Sequence, residues 1–236
     1  SRQRGRSRFS NIDLLEKYDY IGLRHFLRGR GYIDMKYLFY IYPEKYYPLD
    51  YETYFKSPNR FVMVTSNCLT GEAEYFEEKQ DADRLVDICC ASCTLPVLCP
   101  VTYVDGIPMV DGGVCDAIPI QHAIDDGFRK NVIILTRNKG YRKEEKDFWL
   151  PGFIYRRYPA IRKQLKLRYR KYNEVLDYID ELEAKGDAIV IRPQKKMEVG
   201  RTTNDRKKRS ALYDEGYAIG QSIVENNRFD FETPVI

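Results

Sequence analysis

With 236 residues, 43% of them hydrophobic, the chain is long enough to bury one substantial α/β core. Charged residues make up 31% and the net charge is +4, a balance that does not by itself demand a nucleic-acid or membrane partner. No apolar stretch approaches the roughly 20 residues needed to span a bilayer, and the basic opening SRQRGRSRFS lacks the apolar segment of a secretory signal, so a soluble, cytoplasmic chain is expected.

In chain order, residues 12–56 are crowded with tyrosine and broken by Pro43 and Pro48, which predicts helical pieces joined by turns. Such an aromatic face either belongs to a core and its rim or lies against lipid. RFVMVTSNC, residues 60–68, reads as a strand, and GEAEYFEE beyond Thr70-Gly71 as its hairpin partner. From Asp81 to about Ala91 the spacing of Ala82, Leu85, Val86, Ile88 and Cys89 is helical, with Asp81 at the capping position. TYVDGIPMV predicts two short strands around Asp105-Gly106, the second ending at Asp111. Pro119 opens a helix running toward Gly127, and NVIILTR, residues 131–137, reads as a strand buried on both faces of a parallel sheet.

From about Tyr158 to Ala184, Ile161, Leu165, Tyr169, Tyr172, Leu176 and Ile179 recur at three- and four-residue steps, one side of a long helix that ends at Gly186. DAIVIRP supplies another buried strand and SALYDEGYAIGQSIVEN a closing helix. Strands alternating with helices imply an open, largely parallel sheet covered on both sides, and the length makes one domain over residues 1–236 the default.

The six cysteines, Cys68, Cys89, Cys90, Cys93, Cys99 and Cys115, are best read as reduced, buried small hydrophobes, because the chain is neither small nor visibly secreted. Cys90-x-x-Cys93 lacks a second spaced couple of metal ligands, so no metal or other cofactor is expected.

The chemistry concentrates at MVDGGVCDAIPI, residues 109–120. Asp111 sits at a strand end, where loops on a rigid frame carry function, and Gly112 and Gly113 allow a sharp turn and a close approach beside the carboxylate. An ordinary Asp-Gly turn is the plain alternative.

The longer run CCASCTLPVLCPVTYVDGIPMVDGGVCDAIPI resembles the segment of the patatin-like phospholipases that carries their catalytic aspartate: a helix end of type A-S-x-x-x-P, a short hairpin, then D-G-G and a proline. FVMVTSNCLTGEAEYF resembles the preceding strand and hairpin, and IVIRP with LYDEGYAIG the closing strand and helix. The likeness runs from about residue 11 onward and is most specific from Ala91 to Pro119. It implies a three-layer serine acyl hydrolase with a Ser–Asp dyad acting on a phospholipid or other lipid ester. Asp111 would be the base and Gly112 and Gly113 its supporting motif.

The family's G-x-S-x-G nucleophile elbow and glycine-rich oxyanion loop are absent: none of Ser1, Ser7, Ser10, Ser57, Ser66, Ser92, Ser210 or Ser222 has glycine at both flanking positions. The expectation is therefore a domain incomplete at its amino end, inactive as it stands, whose serine lies upstream of residue 1. A fold lacking those strands should expose a sheet edge and apolar faces.

Other candidates are weaker. His122 sits inside a predicted helix and His25 has no acidic neighbour in sequence that recommends it, so both are read as structural. Ser92, in ASCTLP, is read as capping or packing. Arg156, Arg157, Arg162, Lys163, Lys166, Arg168, Arg170 and Lys171 form a basic run uninterrupted by acid. It is either a solvated helix face or a surface for an anionic bilayer, attracted by about 1 kcal/mol per basic residue. The alternative to an enzyme is an inactive module of the same fold that binds anionic lipid or a protein partner through this 156–171 helix and the tyrosine-rich face. No nucleic-acid recognition motif accompanies the charges.

Overall fold

The computed structural model describes residues 20–145, 155–196, 199–200, 203 and 205–226. They divide between two compact units, one assembled from 1–117 and 145–168, the other from 118–144 and 169–236.

In the first unit the tyrosine-rich segment is made of short pieces, as its prolines dictate: α1 (Leu23–Leu27), a π-turn (Tyr37–Ile41), α2 (Tyr42–Tyr46) and α3 (Tyr51–Lys56). Pro43 falls in the first turn of α2, where the N–H it lacks would have no helical partner. Tyr20, Tyr37 and Tyr42 are buried with Ile33, Met35, Cys90 and Cys99, so these rings belong to the core. Residues 12–19 of that segment lie outside the described residues.

Two hairpins and one helix follow. β1 (Met63–Asn67) pairs antiparallel with β2 (Ala73–Phe76) across a turn in which Gly71 adopts a φ of 73°. Helix α4 (Ala82–Ser92) starts where Asp81 accepts hydrogen bonds from the backbone N–H groups of Asp83 and Arg84. β3 (Thr102–Val104) and β4 (Ile107–Asp111) form the second hairpin, with left-handed φ at both Asp105 (51°) and Gly106 (78°), as a tight two-residue hairpin requires. The strand order is β2-β1-β4-β3, and each pairing is antiparallel. Two hairpin reversals bring β4 back beside β1 running the opposite way. The parallel pairing expected through most of the sheet is therefore not found here.

Successive residues of β4 point to opposite faces. Met109 packs with Leu85, Ile88 and Ala91 of α4, while Val110 packs with Cys68, Val114 and, from the following long helix, Ile161 and Leu165. Both Met109 and Val110 are at most 1% exposed. The strand that ends in Asp111 is thus clamped between helices.

The second unit contains α5 (Ile120–Asp125), capped by Pro119, then β5 (Asn131–Ile134), most of α6 (Pro159–Ala184), β6 (Ala188–Ile191) and α7 (Arg206–Glu225). β5 and β6 pair in parallel, with Ile133 opposite Val190. Leu176, Ile179 and Leu182 of α6 bury Ile120, Ile133, Leu135 and Ala188. Parallel pairing among the described residues is confined to this β–α–β unit, because only here does a helix return the chain in the same direction.

One expectation for β5 fails. Ile133 is buried, but Val132 and Ile134 are exposed, Ile134 to 73%, so the strand is covered on one face only. Helix α7 contributes no buried residue, and a cavity of about 320 Å³ lies among Ile134, Leu135, Ile191, Leu212, Gly216 and Ile219.

Candidate functional site

Asp111 is the last residue of β4 and the cap of a single 3-10 turn, Gly112–Val114. Its Oδ1 accepts a hydrogen bond of 2.7 Å from the Gly113 N–H, which fixes the carboxylate over the turn. Its own N–H donates to the Thr94 carbonyl at 2.9 Å, tying the strand end to the loop that follows α4. Ser66, fully buried on β1, holds the turn from beneath: its hydroxyl donates to the carbonyl of Asp111 at 2.9 Å and accepts from the Cys115 N–H at 3.1 Å. The carboxylate itself is half-buried.

The two glycines serve by their lack of a side chain. Neither has a left-handed φ. A Cβ on Gly112 would stand 2.3 Å from the Val64 carbonyl oxygen, a contact no side chain survives, so the turn lies directly on β1. A Cβ on Gly113 would lie 3.0 Å from Asp111 Oδ1 and 3.2 Å from Arg168 Nη2. Carboxylate and guanidinium therefore flank the same small space.

Arg168 is the residue that reasoning from sequence misplaced. Its Nε donates to the Gly113 carbonyl, so one member of the basic run is turned into the Asp-Gly-Gly corner. The signal was present: Arg168 follows Leu165 by three residues and Ile161 by seven, the spacing of the buried stripe. Arg156, Arg157, Lys163, Lys166, Arg170 and Lys171 are exposed, as a wetted basic face would be.

Cysteines crowd the same corner. The thiols of Cys93 and Cys99 are both pushed up to about 12, burial being the largest cause, with the negative charge of Asp111 contributing at each and ranking second at Cys93. Against the expectation that all six would be buried, only Cys68, Cys90 and Cys99 are; Cys89 and Cys115 are half-buried and Cys93 presents surface to solvent, and all six are free thiols. A raised thiol pKa keeps the thiolate fraction low near neutral pH. Among the described residues no group of three or more His, Cys, Asp or Glu is arranged to hold a metal ion.

The other candidates fall elsewhere. His122 is half-buried, its Nε2 3.7 Å from Asp126 Oδ2 one turn along α5. His25, expected to lack an acidic neighbour, is fully buried with Nδ1 3.5 Å from the equally buried Asp34, which Arg30 also pairs at 2.9 Å. The loop from α1 returns Asp34 to His25, a contact that local sequence does not show. Ser92 is half-buried at the end of α4, and Ser1, Ser7 and Ser10 lie outside the described residues.

The family model described as Patatin-like phospholipase matches residues 4–124, more than half of the chain. The chain belongs to the patatin-like phospholipase family. A second model, a domain of unknown function (DUF6363), matches residues 158–228, which include α6, β6 and α7. No curated protein matches significantly. The patatin-like match covers the Asp-Gly-Gly corner and the strands that position it, and places the chain among lipid hydrolases. No helix among the described residues is long and apolar enough to cross a membrane.

Proposed function

We propose that the protein is a serine acyl hydrolase of lipid esters in which Asp111 is the general base of a Ser–Asp dyad. The observation that carries this reading is the fixed carboxylate at the end of β4, aimed by the Gly113 N–H and sharing its space with Arg168. The serine is supplied from upstream of residue 1, because no serine of this chain sits in a G-x-S-x-G elbow and Ser66 is committed to the backbone of the turn. Gly112 and Gly113 support the motif by letting that turn lie on β1.

In the reaction the serine oxygen forms a bond to the ester carbonyl carbon as Asp111 takes its proton. Collapse of the tetrahedral intermediate breaks the carbon–oxygen bond to the alcohol, and Asp111 returns the proton to that leaving oxygen. Water then attacks the acyl-enzyme by the same relay in reverse. A carboxylate is a weak base, so holding it against the hydroxyl matters more than its basicity. Arg168 is a positioning residue that holds Gly113, and through it the carboxylate.

The same reading takes residues 1–236 as one three-layer α/β/α domain. The parallel β5–α6–β6 unit supports the parallel part of it. The exposed basic residues of α6 would contact anionic lipid headgroups from the aqueous side.

Activity-based labelling tests the dyad. The 236-residue chain is expected not to react with a fluorophosphonate probe, while protein extended at the amino end labels on one serine. Labelling of the short chain at Ser66 or Ser92, or no labelling of a longer protein containing G-x-S-x-G, overturns the assignment.

A further inference from the structure

The loop around α1 carries a feature that neither the core nor the Asp111 corner uses. Residues 20–34 close on themselves: Ile21 bridges Ile33, Gly22 N–H donates to Tyr32 O, and Asp34 N–H donates to Tyr20 O. Buried His25 and Asp34 pin the inner side of the loop. On the other side of α1, Leu23, Phe26 and Leu27 stand in water at 63%, 57% and 79% exposure. Their i, i+3, i+4 spacing makes one apolar knob. Burying these three side chains inward would be favourable, yet the loop holds them out.

The surroundings of the knob are basic. No acid occurs from Ile21 to Ile33, while Arg24, Arg28 and Arg30 are all exposed there, and Asp34, the first acid after that stretch, is buried and paired with Arg30. The loop is also attached to the site's own support. Tyr32 and Ile33 N–H both donate to the Leu98 carbonyl, and a Cβ on Gly31 would lie 2.7 Å from that oxygen. Leu98 belongs to the segment after α4 whose Thr94 carbonyl holds Asp111.

We propose that Leu23, Phe26 and Leu27 form a membrane-insertion knob that docks the protein on an anionic bilayer, with Arg24 and Arg28 at headgroup level. An interfacial element needs a small apolar face rimmed by cations, which is what α1 presents. A second copy of the chain is a poorer occupant, since a stable protein interface takes roughly 20–30 residues a side and this face offers three. The inference deepens the lipid-ester reading, because a hydrolase of bilayer lipids must hold its site at the interface, and it adds a contact separate from the basic face of α6.

Co-sedimentation of the purified protein with phosphatidylcholine vesicles, with and without phosphatidylglycerol, tests it. The wild type is expected to bind the mixed vesicles, and L23S/F26S/L27S to bind them about tenfold or more weakly with its unfolding midpoint unchanged. R28E should weaken binding only where phosphatidylglycerol is present. A F26W reporter in a W149F background should shift its emission to the blue on binding and be quenched by brominated acyl chains. Undiminished binding by the triple variant, or a reporter that stays in water, overturns the proposal. So does a wild-type dimer that the triple variant turns into monomer. Asp111→Asn should bind vesicles like wild type, so lost binding and lost hydrolysis point to separate failures.

Discussion

The two units handle apolar surface in opposite ways. In the first, β4 is buried on both faces, Met109 under α4 and Val110 under the start of α6, and the Asp111 carboxylate sits at the end of that clamped strand. In the second, β5 has one buried face and one open one, with Ile134 in water beside a cavity of about 320 Å³. The difference teaches where geometry is fixed. A side chain that must hold one position is carried by a strand without slack, whereas a two-stranded parallel sheet with an open face has apolar surface available for a further contact.

Truncating buried residues should give the largest effect in both units. Ile88→Ala in the first and Ile179→Ala in the second, each at 0% exposure, should cost about 2–5 kcal/mol of unfolding free energy in denaturant titrations. If Ile179→Ala costs nothing, the second unit is not packed as described.

Next comes Gly112→Ala, whose new Cβ would meet the Val64 carbonyl at 2.3 Å. Overpacking of this kind should destabilise by about 1–3 kcal/mol and distort the Asp111 turn, read by thermal unfolding and by loss of turnover. Gly216→Ala on α7, where a Cβ meets nothing within 4 Å, is the matched control and should be neutral or slightly stabilising.

A smaller effect depends on pH. Backbone N–H groups of Asp81 and Gln80 and the Arg84 guanidinium hold Glu78 at about 2, the Asp81 N–H being the largest cause, against an ordinary 4.5. A depressed carboxylate contributes stability that is present above the unfolded value and is lost as pH falls from about 4.5 toward 2. Glu78→Gln should therefore flatten the stability profile in that window in acid titrations, while leaving its shape at pH 7 unchanged. The smallest change should be Ile134→Ser: within about 0.5 kcal/mol in unfolding, because the residue is already in water.

Much of this was legible in the chain. Asp105-Gly106 announced the hairpin that delivers Asp111, Asp81 announced the start of α4, and the three- and four-residue steps from Ile161 to Ile179 announced α6, because each rests on neighbours within a few residues. What was not legible depends on distant partners. The antiparallel pairing of Thr65 with Asp111 joins residues far apart in sequence. Arg168 reaches back 55 residues to Gly113, so its place among other basic residues suggested only a wetted face or a bilayer surface. NVIILTR reads the same whether one face or two are covered, and the exposure of Val132 and Ile134 is set by what packs on the sheet.

Asp111→Asn in a form of the protein that contains the upstream serine tests the central claim most directly. It preserves the shape of the side chain and an oxygen for the Gly113 N–H while removing the base. Turnover of a lipid ester is predicted to fall by about two to four powers of ten, with the unfolding midpoint held. Unchanged turnover in a folded Asp111→Asn protein would contradict the account.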